Sequence, residues 1–120
     1  MSTDASEATT PDEPVDLDPA GFDRFVAEHD LVLVEVWAEW CGPCEAMAPA
    51  IEAVAAEGGV AVGKVDHEQY PALLADRRSL LGKVFRSIPA MFVFADGEVV
   101  DRAVGRKSVE ELRSLLAPYR

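Results

Sequence analysis

The residues from Leu31 to Trp37 form a nearly continuous apolar run, interrupted only by Glu35. Most of the side chains in this run are β-branched or aromatic, and such residues favour strands. A strand that is apolar on both faces is typical of a parallel sheet that helices cover on both sides. The run therefore predicts an α/β fold, in which it forms the most buried strand.

Helical patterns alternate with strands along the rest of the chain. Four segments place apolar residues at helical spacing, and the third, residues 71–85, predicts one or two helices broken near Gly82. Gly58 and Gly59 end the second helix, and Ser108 with Glu111 forms a capping box that opens the last. The inward-facing residues are Phe22, Phe25 and Val26 in the first segment, Met47, Ala50, Ile51 and Val54 in the second, Leu73, Leu74, Leu80, Leu81, Val84 and Phe85 in the third, and Val109, Leu112, Leu115 and Leu116 in the fourth.

Three further segments, residues 60–65, 91–95 and 98–104, predict strands because they are rich in β-branched and apolar residues. Asp96-Gly97 separates the last two and suits the positive φ angles of a tight hairpin turn. Strands joined by helices run parallel, whereas the two strands of a hairpin run antiparallel. The predicted fold is therefore a central mixed β-sheet flanked by helices on both faces.

The charge of the chain is strongly acidic, with 22 Asp and Glu residues, 11 Lys and Arg residues and a formal net charge of −11. Such a charge repels phosphate backbones and anionic lipids, so we expect neither nucleic acid nor a membrane surface as a partner. Residues 1–18 hold six of the acids, no base and few large apolar side chains. We therefore predict a disordered acidic tail over residues 1–14 and a single folded domain over residues 15–120.

No apolar run in the chain approaches the roughly 20 residues that are needed to cross a bilayer. The first 17 residues also lack the basic and apolar regions of a secretory signal. We therefore expect a cytoplasmic protein in a reducing compartment. In such a compartment a cysteine pair is more often catalytic or metal-binding than a structural bridge.

The two cysteines of the chain, Cys41 and Cys44, lie between the most buried strand and the second helix. Pro43 stands near the first helical position, where its missing N–H group costs nothing. Unpaired backbone N–H groups and the positive end of the helix dipole favour the thiolate form of Cys41. Cys44 lies one turn further on, close enough to attack a mixed disulfide formed at Cys41. The pair is therefore a candidate redox centre.

Half of a zinc site is the main alternative for a Cys-x-x-Cys motif, because structural zinc needs about four ligands. Apart from the cysteines, the chain offers only His29 and His67, which are far apart in sequence. His29 closes the first predicted helix and His67 lies in an acidic stretch, so we expect both at the surface. We predict no metal and no other cofactor.

Five short motifs stand in a distinctive order along the chain. They are Val-Glu-Val-Trp-Ala-Glu-Trp-Cys-Gly-Pro-Cys at 34–44, Lys64-Val65-Asp66, Arg86-Ser87-Ile88-Pro89, Asp96-Gly97-Glu98 and Val104-Gly105. Their order and setting resemble the thioredoxin family from about Val15 to the C-terminus. The resemblance implies the thioredoxin fold, with a short first strand near residues 15–17, and a dithiol that reduces disulfides in other proteins.

The resemblance also implies roles for the residues around the cysteines. Cys41, exposed at the helix start, would attack a target disulfide, and the more buried Cys44 would resolve the mixed disulfide. Ile88-Pro89 would form a cis-proline turn that faces the dithiol. A thioredoxin reductase or an equivalent reductant would regenerate the dithiol, and we expect the protein to act as a monomer. Substrates would dock on an apolar surface formed by Trp40, Gly42, Pro43, Ile88, Pro89, Val104 and Gly105.

Glu35 is the one charged residue in the most buried strand. Strand alternation places it on the same side as Leu33 and Trp37, and we predict that Trp37 lies in the core. A buried carboxylate is costly unless it is paired, and burial raises the pKa of such a group. The family usually has an aspartate here that helps to deprotonate the second cysteine. With Lys64 as the expected partner, two roles stay open: a proton relay to Cys44 and a mainly structural Glu35–Lys64 pair.

Two other functions also remain open on these residues. A redox-inert or redox-sensing interaction module would use the same groove without turnover, and a disulfide isomerase or oxidant would use the same cysteines. Gly42-Pro43 and Ile88 resemble the reducing members of the family. In the connection from Asp66 to Pro89, a basic segment predicts either a solvated helix face or a partner-binding patch, and its residues are Arg77, Arg78, Lys83 and Arg86.

Overall fold

The computed structural model describes residues 9–81 and 87–120. The helices are α1 (Pro19–Glu28), α2 (Gly42–Glu57), α3 (Arg78–Leu81) and α4 (Val109–Leu116), with 3-10 turns at Ala75–Arg77 and Ala117–Tyr119. The strands are β1 (Val15–Asp16), β2 (Leu31–Trp37), β3 (Ala61–Asp66), β4 (Ala90–Ala95) and β5 (Glu98–Val104). None of the helices in these two ranges is long and apolar enough to cross a membrane.

The five strands form one mixed sheet in the order β1-β3-β2-β4-β5. Strand β3 pairs parallel with both β1 and β2, whereas β4 pairs antiparallel with both β2 and β5. The predicted mixed sheet is confirmed, and so is the short first strand that the family resemblance implied. With these strand directions, the carboxyl ends of β2, β3 and β5 meet the amino end of β4 at one edge of the sheet.

The alternation of side chains along β2 divides the core into two layers. Val32, Val34 and Val36 pack on one face with buried residues of α1 and of the segment 71–81. Leu31 and Leu33 pack on the other face with buried residues of α2 and α4. Because successive strand residues point to opposite faces, Glu35 belongs to the face that α2 and α4 cover.

Short local motifs set the ends of the helices and of the hairpin. The Asp18 side chain accepts a hydrogen bond of 2.7 Å from the Gly21 N–H group at the start of α1. Ser108 and Glu111 form the predicted capping box at α4. Asp96 and Gly97 have φ angles of 53° and 86° between β4 and β5, as the hairpin prediction requires. These contacts fix where the elements begin, and with them the loops that carry the site.

The segment 71–85 differs from its prediction of one or two helices. The described part of it forms only a 3-10 turn and the one-turn helix α3. The predicted break at Gly82 and the apolar residues Val84 and Phe85 lie outside the described residues. The leucines of this segment therefore pack into the core from a loop and not from a long helix. Leu73, Leu74 and Leu81 are the buried ones.

Arg77 is the physical reason for this tight path. Its guanidinium donates hydrogen bonds of 2.8 Å to Asp23 of α1 and of 2.8 Å to the Pro19 carbonyl. A third bond of 2.9 Å goes to the Leu73 carbonyl. Arg77 therefore ties the loop to α1 and is not part of a free basic patch, while Lys83 and Arg86 lie outside the described residues.

The predicted tail is described only from residue 9 onward. Residues 9–14 contain no helix or strand. Asp12, Glu13 and Pro14 nevertheless line a groove together with Glu52 of α2 and Lys64 of β3. This part of the chain therefore passes close to the domain, and residues 1–8 lie outside the described residues.

Gly63 of β3 leaves no room for a side chain, and Gly63→Ala is expected to destabilise the protein by about 1–3 kcal/mol. A Cβ atom at this position would lie 2.5 Å from Leu17 Cδ1 and 3.2 Å from Phe25 Cε2, in a buried layer that must shift to admit it. Urea unfolding of both proteins measures the difference. Gly42→Ala is the matched control because its Cβ would meet no atom within 4 Å. Equal unfolding midpoints for Gly63→Ala and the parent would contradict the prediction.

Candidate active site

One edge of the sheet collects most of the residues that the sequence singled out. The Cys41–Cys44 motif follows β2, His67 follows β3, and Ile88 and Pro89 precede β4, while Val104 ends β5 and Gly105 follows it. Glu35 and Lys64 lie side by side in register on β2 and β3, near the same edge. The topology thus brings motifs that are distant in sequence to one place.

Cys41 and Cys44 form a disulfide at the N-terminus of α2, with their Cα atoms 5.3 Å apart. Cys41 is the N-cap of this helix, and its Sγ accepts a hydrogen bond of 3.2 Å from the Cys44 N–H group. Pro43 lies in the first turn, as predicted. The N–H group and the helix dipole both stabilise negative charge on the Cys41 sulfur once the disulfide is reduced.

The prediction that Cys41 is exposed and Cys44 more buried is wrong for the disulfide form. Both residues are only 4% exposed. They form a small cluster with Ala38, and Trp37 and Ile88 pack against it. The bond between the sulfurs and these neighbours cover Cys41 as fully as Cys44. The two cysteines therefore differ in their position on the helix and not in their exposure.

Apolar residues are exposed at the sheet edge that holds the buried disulfide. The Ile88–Pro89 peptide bond is cis, and the Pro89 carbonyl accepts a hydrogen bond of 2.8 Å from the Gly105 N–H group. This bond joins the proline turn to the end of β5, where Val104 is 51% exposed. Trp40, next to Cys41, is 64% exposed. The structure thus brings together the residues that were predicted to receive substrates.

Glu35 is almost completely buried, at 1% exposure. Among the described residues its Oε1 atom has no hydrogen-bond partner. Burial raises the pKa of the Glu35 carboxyl to about 7, and the positive charge of Lys64 opposes this rise. The carboxyl can therefore gain or lose a proton near neutral pH.

Lys64 does not form the expected ion pair with Glu35 in the described part of the chain. Its ammonium group lies over the indole ring of Trp37, 4.4 Å from the ring centroid, in a cation–π contact. Trp37 is half-buried at the end of β2 and packs against the buried cysteine cluster, so the prediction of a core residue is confirmed only in part. Lys64 thus acts on Glu35 through its charge alone.

The two histidines occupy different environments. His29 was predicted at the surface but is 9% exposed, because its ring packs against Phe25 with centroids 4.9 Å apart. His67 is half-buried at the sheet edge, where its ring contacts Trp40. Sequence reasoning missed this contact. The sequence did offer a signal for it. His67 follows one predicted strand, the Trp40-Cys41 segment follows another, and the ends of two parallel strands lie at the same edge of a sheet.

A disulfide between residues three apart, capping a helix beside a proline turn and a buried carboxyl, is typical of redox-active and not of structural cysteines. These features define a thiol–disulfide exchange protein. The family model for thioredoxin matches residues 13–118, and the chain therefore belongs to the thioredoxin family.

Individual relatives agree with this assignment. The chain is 40% identical over 96 residues to the thioredoxin of Chlamydia caviae, which covers 79% of this chain and 87% of that protein. It is 36% identical over 103 residues to the thioredoxin of Porphyra purpurea, with 83% and 91% covered. The structure of a thioredoxin variant from Halobacterium salinarum NRC-1 has a TM-score of 0.81 at 32% identity, with 93% and 95% covered. The protein is thus a thiol–disulfide oxidoreductase of the thioredoxin type, and a redox-inert binding module is not favoured.

Proposed function

We propose that Cys41 is the nucleophile and Cys44 the resolving cysteine in the reduction of disulfides of other proteins. The Cys41 thiolate attacks one sulfur of the target disulfide and releases the other sulfur as a thiolate. The Cys44 thiolate then attacks Cys41 Sγ, which breaks the mixed disulfide and releases the second target thiolate. Two electrons pass from the dithiol to the target, whose two sulfurs take up protons.

The observation that carries this order of attack is the N-cap position of Cys41. Its sulfur accepts the Cys44 N–H group at 3.2 Å and stands at the positive end of a 16-residue helix. Cys44 lies inside the first turn, and no backbone N–H group of the described residues donates to its sulfur. Negative charge is therefore favoured on Cys41, which makes it the better attacking group at neutral pH.

Glu35 is proposed as the group that accepts the proton of Cys44 during resolution. Its carboxyl lies on the sheet face that α2 covers, and Cys44 belongs to the first turn of α2. A pKa of about 7 suits a carboxyl that must take up a proton near neutral pH and release it again. The placement of Lys64 over Trp37 favours this relay over a structural Glu35–Lys64 pair.

Glu35→Gln is expected to slow the resolution step at pH 7 by about tenfold or more, because it removes the proton acceptor and keeps the shape of the side chain. The parent rate should change with pH around 7, and the variant should lose this inflection. Stopped-flow measurement of mixed-disulfide decay from pH 5.5 to 8.5 records both effects. Glu45→Gln removes an exposed carboxylate next to Cys44 and is expected to change the rate by less than about threefold. An unchanged rate and pH profile for Glu35→Gln would remove the relay role.

The substrate groove is proposed to consist of Trp40, Gly42, Pro43, Ile88, Pro89, Val104 and Gly105. Ile88 packs against the cysteine cluster, and its backbone makes no hydrogen bond to another described residue. An extended segment of a target protein can therefore pair with this backbone while its disulfide faces Cys41. The exposed side chains of Trp40 and Val104 supply the apolar contact.

A thioredoxin reductase is proposed as the reductant, with the protein acting as a monomer in the cytoplasm. We also propose that the acidic residues 1–14 form a tail outside the catalytic domain, which spans residues 15–120. In a mixture of the oxidised protein, a bacterial thioredoxin reductase and insulin, NADPH should be consumed. Omission of the protein should stop this consumption. If consumption is absent but dithiothreitol supports insulin reduction, the proposed reductase is wrong and the disulfide reductase remains.

A further inference from the structure

Trp40 is the most exposed of the large apolar side chains in the described part of the chain, at 64%. It precedes Cys41, the proposed nucleophile, so a protein that presents a disulfide to this sulfur binds beside the indole ring. Exposed aromatic residues of this kind often contribute a large share of binding energy when a partner buries them. The orientation of this ring before binding therefore matters for affinity.

The imidazole ring of His67 contacts the indole ring of Trp40. The ring centroids are 6.3 Å apart and the planes are inclined by 81°, an edge-to-face arrangement. Aromatic pairs with centroids 4.5–7 Å apart are stabilised by such geometry beyond the area that they bury. His67 is half-buried, whereas Trp40 is mostly exposed, so the histidine is the better anchored partner.

The backbone around His67 is itself fixed to the sheet. The His67 N–H group donates a hydrogen bond of 3.1 Å to the Trp37 carbonyl, across the ends of β3 and β2. The Asp66 carboxylate accepts hydrogen bonds of 3.0 and 3.3 Å from the N–H groups of Glu68 and Gln69. His67 therefore presents its ring from a turn that is hydrogen-bonded to the sheet, while Trp40 lies in the loop that leads to the dithiol.

We propose that His67 is a positioning residue that holds Trp40 in the orientation in which target proteins bind, an inference that rests on the proposed function. An exposed indole without this contact samples several rotamers, and a partner must then immobilise it on binding. With the contact in place, that ordering is already complete in the free protein. The effect belongs to docking and leaves the attack of the Cys41 thiolate unchanged.

The test compares His67→Ala, which removes the ring, with His67→Phe, which keeps an aromatic edge. His67→Ala is expected to raise KM for insulin about threefold to tenfold, with kcat changed less than twofold, in a dithiothreitol-driven assay. His67→Phe should restore most of the affinity. Reduction of bis(2-hydroxyethyl) disulfide, which is too small to cover Trp40, should be unchanged in both variants. Glu68→Ala is the matched control in the same turn.

Two further measurements separate positioning from a general weakening of the turn. In protein labelled with 5-fluorotryptophan, His67→Ala should shift the fluorine resonance of Trp40, assigned with Trp40→Phe. His67→Ala should also have no further effect on KM in a Trp40→Ala background.

The outcomes distinguish this inference from the proposed function on which it rests. An active parent whose KM does not change in His67→Ala would overturn the positioning role and leave the reductase intact. The same conclusion would follow if His67→Phe were as impaired as His67→Ala, or if the fluorine resonance did not move. A parent that reduces neither insulin nor the small disulfide would instead overturn the proposed function, whatever the resonance shows.

Discussion

Cys44→Ser is expected to accumulate a covalent adduct with insulin through Cys41, whereas Cys41→Ser should form none. The reason is that, in the proposed mechanism, Cys41 at the N-cap of α2 carries the favoured thiolate and Cys44 releases the target bound to it. Turnover should fall by at least about a thousandfold in both variants, because each lacks one of the two sulfurs that the reaction consumes. Non-reducing gels and mass spectrometry of the adduct measure the difference.

The control for this prediction is the Cys41→Ser, Cys44→Ser double variant, which should neither bind insulin covalently nor reduce it. All three variants lack the disulfide, so a loss of structure would affect them alike and would be visible by circular dichroism. Equal adduct yields from the two single variants would contradict the assignment of Cys41 as the nucleophile. A larger yield from Cys41→Ser would reverse the two roles.

Glu35→Gln is expected to stabilise the oxidised protein at alkaline pH and to have a smaller effect in acid. The carboxyl has a pKa of about 7 in the folded protein, above its ordinary value of 4.5. As the pH rises above 4.5 the unfolded chain loses this proton first, while the folded protein still holds it. The carboxyl therefore lowers the free energy of unfolding by under about 1 kcal/mol at pH 5 and by about 3 kcal/mol above pH 8.

Urea unfolding of the oxidised parent and Glu35→Gln at pH 5 and pH 8.5 measures this change. The gain in stability of the variant should grow by about 2–3 kcal/mol between the two pH values. A difference in packing between glutamate and glutamine that does not depend on pH cancels when the gains at the two pH values are compared. Glu45→Gln, which alters an exposed carboxylate, should show no comparable growth with pH. A gain that is the same at both pH values would mean that the buried carboxyl does not titrate as described.

The two predicted effects of Glu35→Gln point in opposite directions. Removal of the carboxyl should make the protein more stable above pH 7 and slower in resolving a mixed disulfide. A group that costs stability where it is buried, and that lies on the face of the active-site helix, is typical of a functional residue. Together the two measurements separate a proton relay from a carboxyl with only a structural role.

Much of the fold could be predicted because its main elements have strong local signals. The apolar run Leu31–Trp37 is the observed β2, and Asp96-Gly97 and the Ser108 capping box lie where the sequence placed them. The first strand, Val15–Asp16, is only two residues long and has no pattern of its own. It exists because it pairs with β3, so only the family resemblance indicated it.

The sequence predicts which residues form the site, but it does not predict the contacts that these residues make. Lys64 was the expected partner of Glu35 and lies beside it in register, yet its ammonium group lies over Trp37 and no ion pair forms between the two among the described residues. Local patterns do not determine which of several nearby partners a long flexible side chain selects. The same limit applies to His67, whose contact with Trp40 joins two loops that are distant in sequence.

The central claim is that the Cys41–Cys44 dithiol reduces a protein disulfide by becoming oxidised itself. A single-turnover reaction of the reduced protein with insulin, quenched with acid and analysed by thiol alkylation and mass spectrometry, tests it most directly. We expect one insulin disulfide to be lost for each Cys41–Cys44 disulfide formed. The release of reduced insulin should have the same rate as the formation of the Cys41–Cys44 disulfide. If insulin stayed oxidised, or if its disulfides were lost while Cys41 and Cys44 both remained open to alkylation, the claim would be contradicted.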